Sequence, residues 1–232
     1  MSTYERLYLS PLHDPIFFWV AVGILVLLIA RRLPFLAGFL VVFAFEIAAD
    51  ALLTGALSPI PKGAWWGTPV SVAFVILGDF RFFLVASVAG KAPTESFFHP
   101  VKRAVVWAFV VPVVSYLLRS FVPVLAAPMR VTFLTYELLF FALAITMRAL
   151  ILPRTMRESP LEIRRFVAHL TIFEIVQYGL WATADILILT GFDIGFLLRF
   201  LPNTMYYALF LPFVFWRAPA AWRVWQPSPH RV

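Results

Sequence analysis

Leu77-Gly78-Asp79-Phe80-Arg81-Phe82-Phe83 and Leu201-Pro202-Asn203-Thr204-Met205-Tyr206-Tyr207 lie in two apolar runs far apart in the chain, each with a carboxylate or amide third. One run upstream of each, Phe45-Glu46-Ile47 stands against Phe173-Glu174-Ile175, and Leu52 against Leu180. An ionisable group near a bilayer centre costs about 2.5–3.5 kcal/mol on insertion scales. Matched polar residues in two halves therefore suggest a duplicated unit with a polar site between the copies. The competing reading is chance, because Phe, Leu and Ile dominate both segments. The informative matches are Glu46 with Glu174 and Asp79 with Asn203.

The surrounding composition sets the class. The chain has 232 residues, 62% hydrophobic and 13% charged, against roughly 25% charged in an average globular domain. Its mean hydropathy is +0.89. Such a chain is read as one integral membrane domain over residues 1–232, all-α and multi-pass in a cell membrane. With no cysteine, disulfides, thiolate metal sites and a cysteine nucleophile are excluded. The net charge of +7 fits loops facing anionic lipid better than nucleic-acid binding. Membrane lipids and a small-molecule substrate are the expected partners, and a homo-oligomer stays open. The first apolar run is flanked by Glu5, Arg6 and Asp14 and ends at Arg31-Arg32, which does not read as a cleaved signal.

A spanning helix needs about 20 apolar residues. Seven runs qualify, at about 16–30, 34–57, 68–89, 104–122, 131–151, 166–190 and 195–216. Placing the N-terminus outside puts thirteen of the 19 Lys and Arg residues on inner loops and tail. The outer side then holds only Arg6, Lys62, Arg119 and Arg130. The positive-inside rule gives N-out and C-in. Trp65-Trp66 and Trp216, Trp222 and Trp225 fall at run ends, where tryptophan anchors to the interface. The repeat reading divides the chain into unit one at about 16–90, a linker helix at about 104–122 and unit two at about 131–217. Three helices, a linker and three helices give parallel copies, a transporter design with its site at the repeat interface.

The sixth run carries Glu174, Gln177, Tyr178, Trp181 and Asp185 at i, i+3, i+4, i+7 and i+11, one stripe on one helix face. It is expected to face a cavity, with a hydrogen-bonded helix seam as the alternative. Glu46 and Asp50 lie one turn apart. Two such carboxylates repel when both are ionised, so one holds a proton or meets a cation. That suits proton coupling or a sodium site, unless Arg81 or Arg199 satisfies the pair. Asp79 is the leading single candidate. Arg81, two residues on, does not share its face. Pro202 frees a backbone carbonyl one turn earlier, and Asn203 beside it offers both donor and acceptor. Asp79, Glu174, Gln177, Tyr178, Trp181 and Asn203 are thus the expected substrate-binding set, with Glu46 and Asp50 for proton coupling. Glu137 is placed near the interface and ranked below them.

His13, His99, His169 and His230 are scattered and make no zinc cluster. No phosphate-cradling glycine loop and no G-x-S-x-G elbow occur. The seventh run has no lysine for a retinal Schiff base. No metal or cofactor is expected.

The three-plus-one-plus-three layout, Trp181-Ala182-Thr183, Phe192-Asp193 and Pro202-Asn203 together resemble the SWEET and PQ-loop transporters. That resemblance implies a pocket using Trp181 and Asn203, with the family's asparagine in the third helix falling on Asp79. The proline–glutamine pair of that group is absent, and the first and fifth runs lack its internal prolines. Leu77-Gly78-Asp79 and Ala184-Asp185 are also similar to the paired aspartates of membrane lysoplasmalogenases. This second resemblance implies acid–base attack by Asp79 and Asp185 on a lipid head-group linkage. Small-solute transport is the first expectation, the lipid enzyme the second, and a sensor or structural subunit the third.

Overall fold

The computed structural model describes residues 1–10, 16–30, 34–55, 57–61, 63–91, 95–125 and 129–219. The expectations placed on Arg31-Arg32, Lys62, His13, Trp222, Trp225 and His230 lie outside the described residues.

Among the described residues there is no strand. A short amphipathic turn of helix, α1 (Thr3–Tyr8), opens the chain; Ser2 and Glu5 cap it reciprocally. Then come α2 (Ile16–Ala30), α3 (Pro34–Thr54), α4 (Gly67–Ala89), α5 (Phe98–Phe121), α6 (Met129–Thr155), α7 (Leu161–Leu189) and α8 (Ile194–Arg217). Five of these, α4 to α8, are long and apolar enough to cross a membrane, and the chain is a membrane protein. At 15 residues, α2 is about 22 Å long at 1.5 Å per residue.

Two helices start earlier than hydropathy suggests. α5 begins at Phe98, so Lys102 and Arg103 lie within its first turns rather than in a loop. Arg103 reaches back to Glu95 at 3.1 Å. α7 begins at Leu161 and takes in Arg164 and Arg165. Long basic side chains let a helix extend past its apolar stretch because their heads stay in water.

Two helices widen where proline intervenes. In α6 a π turn, Met147–Ile151, precedes Pro153; in α8 another, Met205–Leu209, precedes Pro212. Proline brings no N–H and its ring crowds the carbonyl one turn back. A π turn relieves the crowding by shifting the bond to i−5. Leu152 N–H accordingly donates to Met147 O, and Phe210 N–H to Met205 O.

Each long helix packs on its sequence neighbours from α2 round to α8, and the ring closes where α8 meets α2 and α3. α4 also crosses to α7. The outside is apolar: Phe45, Val42, Phe121 and Leu201 are exposed. The inside holds both the packed aromatics Phe82, Phe83, Phe140 and Phe210 and a set of buried charges. This inversion is what a lipid-solvated bundle requires, since ionisable groups must face the protein interior or a water-filled cavity. Trp65 and Trp216 are exposed at helix ends, as interfacial anchors should be.

Candidate functional site

The site is built around Gly78. A Cβ there would run into the ring and hydroxyl of Tyr206, so only glycine lets α4 and α8 approach this closely. The Tyr206 hydroxyl donates to Phe74 O at 3.2 Å. This approach sets the level at which Asp79 and Arg81 meet the other helices.

Asp79 is buried and accepts hydrogen bonds from two phenols, Tyr136 of α6 on Oδ2 and Tyr178 of α7 on Oδ1. Tyr178 is itself fixed by stacking on Phe140, with ring centroids 4.0 Å apart. The carboxylate therefore ties three helices together. Arg81, two residues on, turns elsewhere. Its NH2 donates to Tyr206 O at 2.6 Å, inside the π turn of α8. Its guanidinium lies between the Tyr206 and Phe210 rings, 4.1 and 4.6 Å from their centroids. Its NH1 is 3.7 Å from Glu46 Oε2. Glu174, also buried, is within electrostatic reach of Arg81 and Asp79.

Glu46 and Asp50 share a face of α3. Asp50 Oδ1 accepts from the Thr54 hydroxyl at 2.8 Å and is hydrogen-bonded by Tyr207 of α8. Of the two arginines considered for this pair, Arg81 meets Glu46, while Arg199 belongs to another cluster.

That second cluster lies nearer the helix ends on the side of α1. Asp185 Oδ1 accepts from Arg130 at 2.7 Å and from Arg199. Arg199 is also 3.6 Å from Glu137 Oε1, and its Nε donates to the Tyr8 hydroxyl at 3.1 Å. Glu137 is buried at 5% exposure, two turns inside α6. Arg130 reaches into the bundle for Asp185.

Between the two clusters is a cavity of about 210 Å³. Asp50 and Thr54 of α3, Tyr136 and Glu137 of α6, and Tyr178 and Trp181 of α7 line it. Arg199, Asn203, Tyr206 and Tyr207 of α8 and Ser71 and Val75 of α4 add to the wall, and Tyr8 of α1 borders it. Trp181 Nε1–H donates to Asn203 Oδ1 at 2.7 Å, holding α7 to α8 across the cavity wall. A larger cavity of about 290 Å³, between α3 and α4, is lined by apolar side chains such as Phe39, Val42 and Leu84.

Of the residues singled out from sequence, Asp50, Tyr178, Trp181 and Asn203 line the polar cavity. Asp79 lies one hydrogen bond behind its wall. Glu46, Glu174 and Gln177 are buried deeper, away from the lining. Asp185 sits with Arg130 and Arg199, seven residues along α7 from Tyr178, about 10 Å at the helical rise. Asp79 and Asp185 are therefore held by separate sets of partners. Sequence reasoning singled out Tyr178 but passed over Tyr8, Tyr136, Tyr206 and Tyr207 as site residues. Five of the chain's seven tyrosines, Tyr8, Tyr136, Tyr178, Tyr206 and Tyr207, line the cavity. Their signal was position: four lie within apolar runs rather than at the ends where aromatic belts form.

No family model, no curated protein and no solved structure matches this chain.

Proposed function

We propose that the protein is a seven-span carrier of small solutes, N-out and C-in, with its binding site in the cavity bounded by α3, α4, α6, α7 and α8. The observation that carries this reading is the cavity itself, walled by tyrosines, Trp181 and Asn203 and backed by the Asp79 network. Counting α2 and α3 with the five longer spans makes seven, and in the proposed N-out orientation the cavity lies toward the outer face.

The repeat supports the same reading. Leu77 and Leu201 are both exposed, Gly78 and Pro202 both buried, and Phe82 and Tyr206 both buried. Glu46 and Glu174 both lie buried within electrostatic reach of Arg81. Phe45 and Phe173 differ, one exposed and one buried, and Asp79 is buried where Asn203 is only partly so, so among the informative matches the shared surroundings lie with the two glutamates. Pro202, Pro212 and the π turn of α8 supply a place for the helix to bend during alternating access. Proton coupling through Glu46 and Asp50 belongs to this proposal. The lysoplasmalogenase-like alternative draws less support, because general acid–base catalysis needs both aspartates within reach of one bond.

The test is uptake into proteoliposomes of a panel comprising choline, alanine, glucose and acetate. Uptake of at least one solute, abolished by Asn203→Ala, is expected. Absence of all uptake, with turnover of a lysoplasmalogen in detergent that disappears in Asp79→Asn, would overturn the carrier reading in favour of the enzyme.

A further inference from the structure

Arg148, Arg154, Arg157, Arg164 and Arg165 fall between the last turns of α6 and the first turns of α7, and all five are exposed. The acids of this stretch are Glu158 and Glu162, so five arginines stand against two carboxylates. Among the described residues none of the five arginines forms an ion pair. The segment is therefore a concentrated positive charge with little inside the described protein to neutralise it.

Three of the five converge. Arg148 of α6 and Arg164 and Arg165 of α7 line one cavity of about 260 Å³, whose remaining lining is apolar and includes Leu152, Met156 and Val167. Arg154 and Arg157 lie outside that lining. The space opens where the π turn and Pro153 widen the end of α6 and α7 restarts after Pro160. α7 begins here with no side-chain cap, and a helix N-terminus favours negative charge. Depth places the cavity against lipid. Arg148 follows Arg130 by 18 residues, about 27 Å along the helix, close to the roughly 30 Å of a hydrocarbon core. Ile145, one turn before Arg148, and Leu161, which lines the cavity, are both exposed.

We propose that this cavity binds an anionic phospholipid, its head-group phosphate held by Arg148, Arg164 and Arg165 and its acyl chains lying against Ile145 and Leu161. Guanidinium groups match phosphate oxygens with paired, charge-assisted hydrogen bonds. Basic pockets between spanning helices are a known way of holding such head groups. A lipid uses both parts of the site, whereas free phosphate would satisfy the arginines and leave the apolar lining wet. A zwitterionic lipid would bring its own cation toward three guanidiniums. The site is separate from the polar cavity, and the inference does not depend on what that cavity carries.

The test titrates the full chain, delipidated in dodecylmaltoside, with phosphatidylglycerol or with phosphatidylcholine of the same acyl chains, and counts bound lipid by native mass spectrometry. Phosphatidylglycerol is expected to saturate one tight site and to bind it at least tenfold more tightly than phosphatidylcholine. Inorganic phosphate, titrated by calorimetry, is expected to be silent. Arg148→Gln/Arg164→Gln is expected to weaken phosphatidylglycerol at least tenfold. Arg154→Gln/Arg157→Gln removes the same charge outside the cavity and is expected to change binding less than twofold. Equal losses in the two double variants would mean diffuse surface charge and overturn the site. Equal binding of the two lipids, or no saturable binding, overturns it as well. Inorganic phosphate binding as tightly as phosphatidylglycerol overturns the assignment to a lipid. The comparison of lipids uses the unaltered protein and stands even if a variant does not fold.

Discussion

Replacing Gly78 by alanine adds one methyl group at the point where α4 and α8 touch. That methyl would fall among the terminal atoms of Tyr206, with Cζ at 2.5 Å and Cε2 at 2.6 Å. The ring cannot simply swing aside. It covers the Arg81 guanidinium at 4.1 Å, lies 4.8 Å from the Tyr207 ring and 5.5 Å from Trp181, and its hydroxyl bonds Phe74 O. Inserting a methyl into such packing costs about 1–3 kcal/mol, and losing the hydroxyl's bond about 1 kcal/mol. Alanine's better helix propensity returns about 1 kcal/mol. The net expectation is a destabilisation of about 1–3 kcal/mol. Reversible unfolding in mixed micelles of detergent and SDS measures it. Tyr206→Leu removes the ring atoms that collide, so Gly78→Ala/Tyr206→Leu should be less damaging than the two single changes summed, by more than about 1 kcal/mol. A Gly78→Ala protein as stable as its parent, or a cycle with no coupling, would refute the claim that glycine is needed for this close approach.

Arg81→Met removes the guanidinium beside Glu46 and Glu174 and should destabilise by about 3–5 kcal/mol, the usual effect of breaking a buried charge pair; adding Glu46→Gln should recover part of that loss in the same unfolding assay. Tyr136→Phe and Tyr178→Phe each delete one bond to Asp79 and should lose about 1.5–3 kcal/mol apiece, and Asp79→Asn should shrink both effects when the changes are combined. Trp181→Phe removes the donor to Asn203 Oδ1 and should lower solute uptake at least tenfold while changing stability by no more than about 1.5 kcal/mol; unchanged uptake would remove Trp181 from the binding site.

The bundle was legible because lipid imposes a simple rule: long apolar runs broken by charged and proline-rich loops. All seven expected runs are helices, though the edges at Phe98 and Leu161 moved outward, since hydropathy undervalues helices that begin on Lys and Arg. The polar stripe of α7 was legible from its spacing, and Glu174, Gln177, Tyr178 and Asp185 all face inward. Partner choice was not legible. Spacing places Glu46 and Asp50 on one face, but only the packing of α4 and α8 on α3 decides that Glu46 meets Arg81 while Asp50 meets Tyr207. The burial of Glu137 was not legible for a related reason. Its position near the start of a run suggested the interface, and its partner Arg199 is distant in sequence.

The position of Arg81 links the broken helix to the buried acids. A π turn is a poor hydrogen-bonding arrangement and leaves backbone groups to be satisfied from outside the helix. Arg81 meets that need with a charge-assisted bond to Tyr206 O and, in doing so, brings a buried positive charge next to Glu46 and Glu174. Each of these features would be unfavourable alone: an arginine in a spanning helix, two buried acids, and a widened turn ahead of Pro212. Together they offset one another, which is how such groups persist in a bilayer. The same coupling means that a movement of α8 at Met205–Leu209 must shift Arg81 relative to its acids. Because Asn203, Tyr206 and Tyr207 flank or occupy that turn and also line the cavity, any displacement there changes the binding wall and the buried ion cluster in one step.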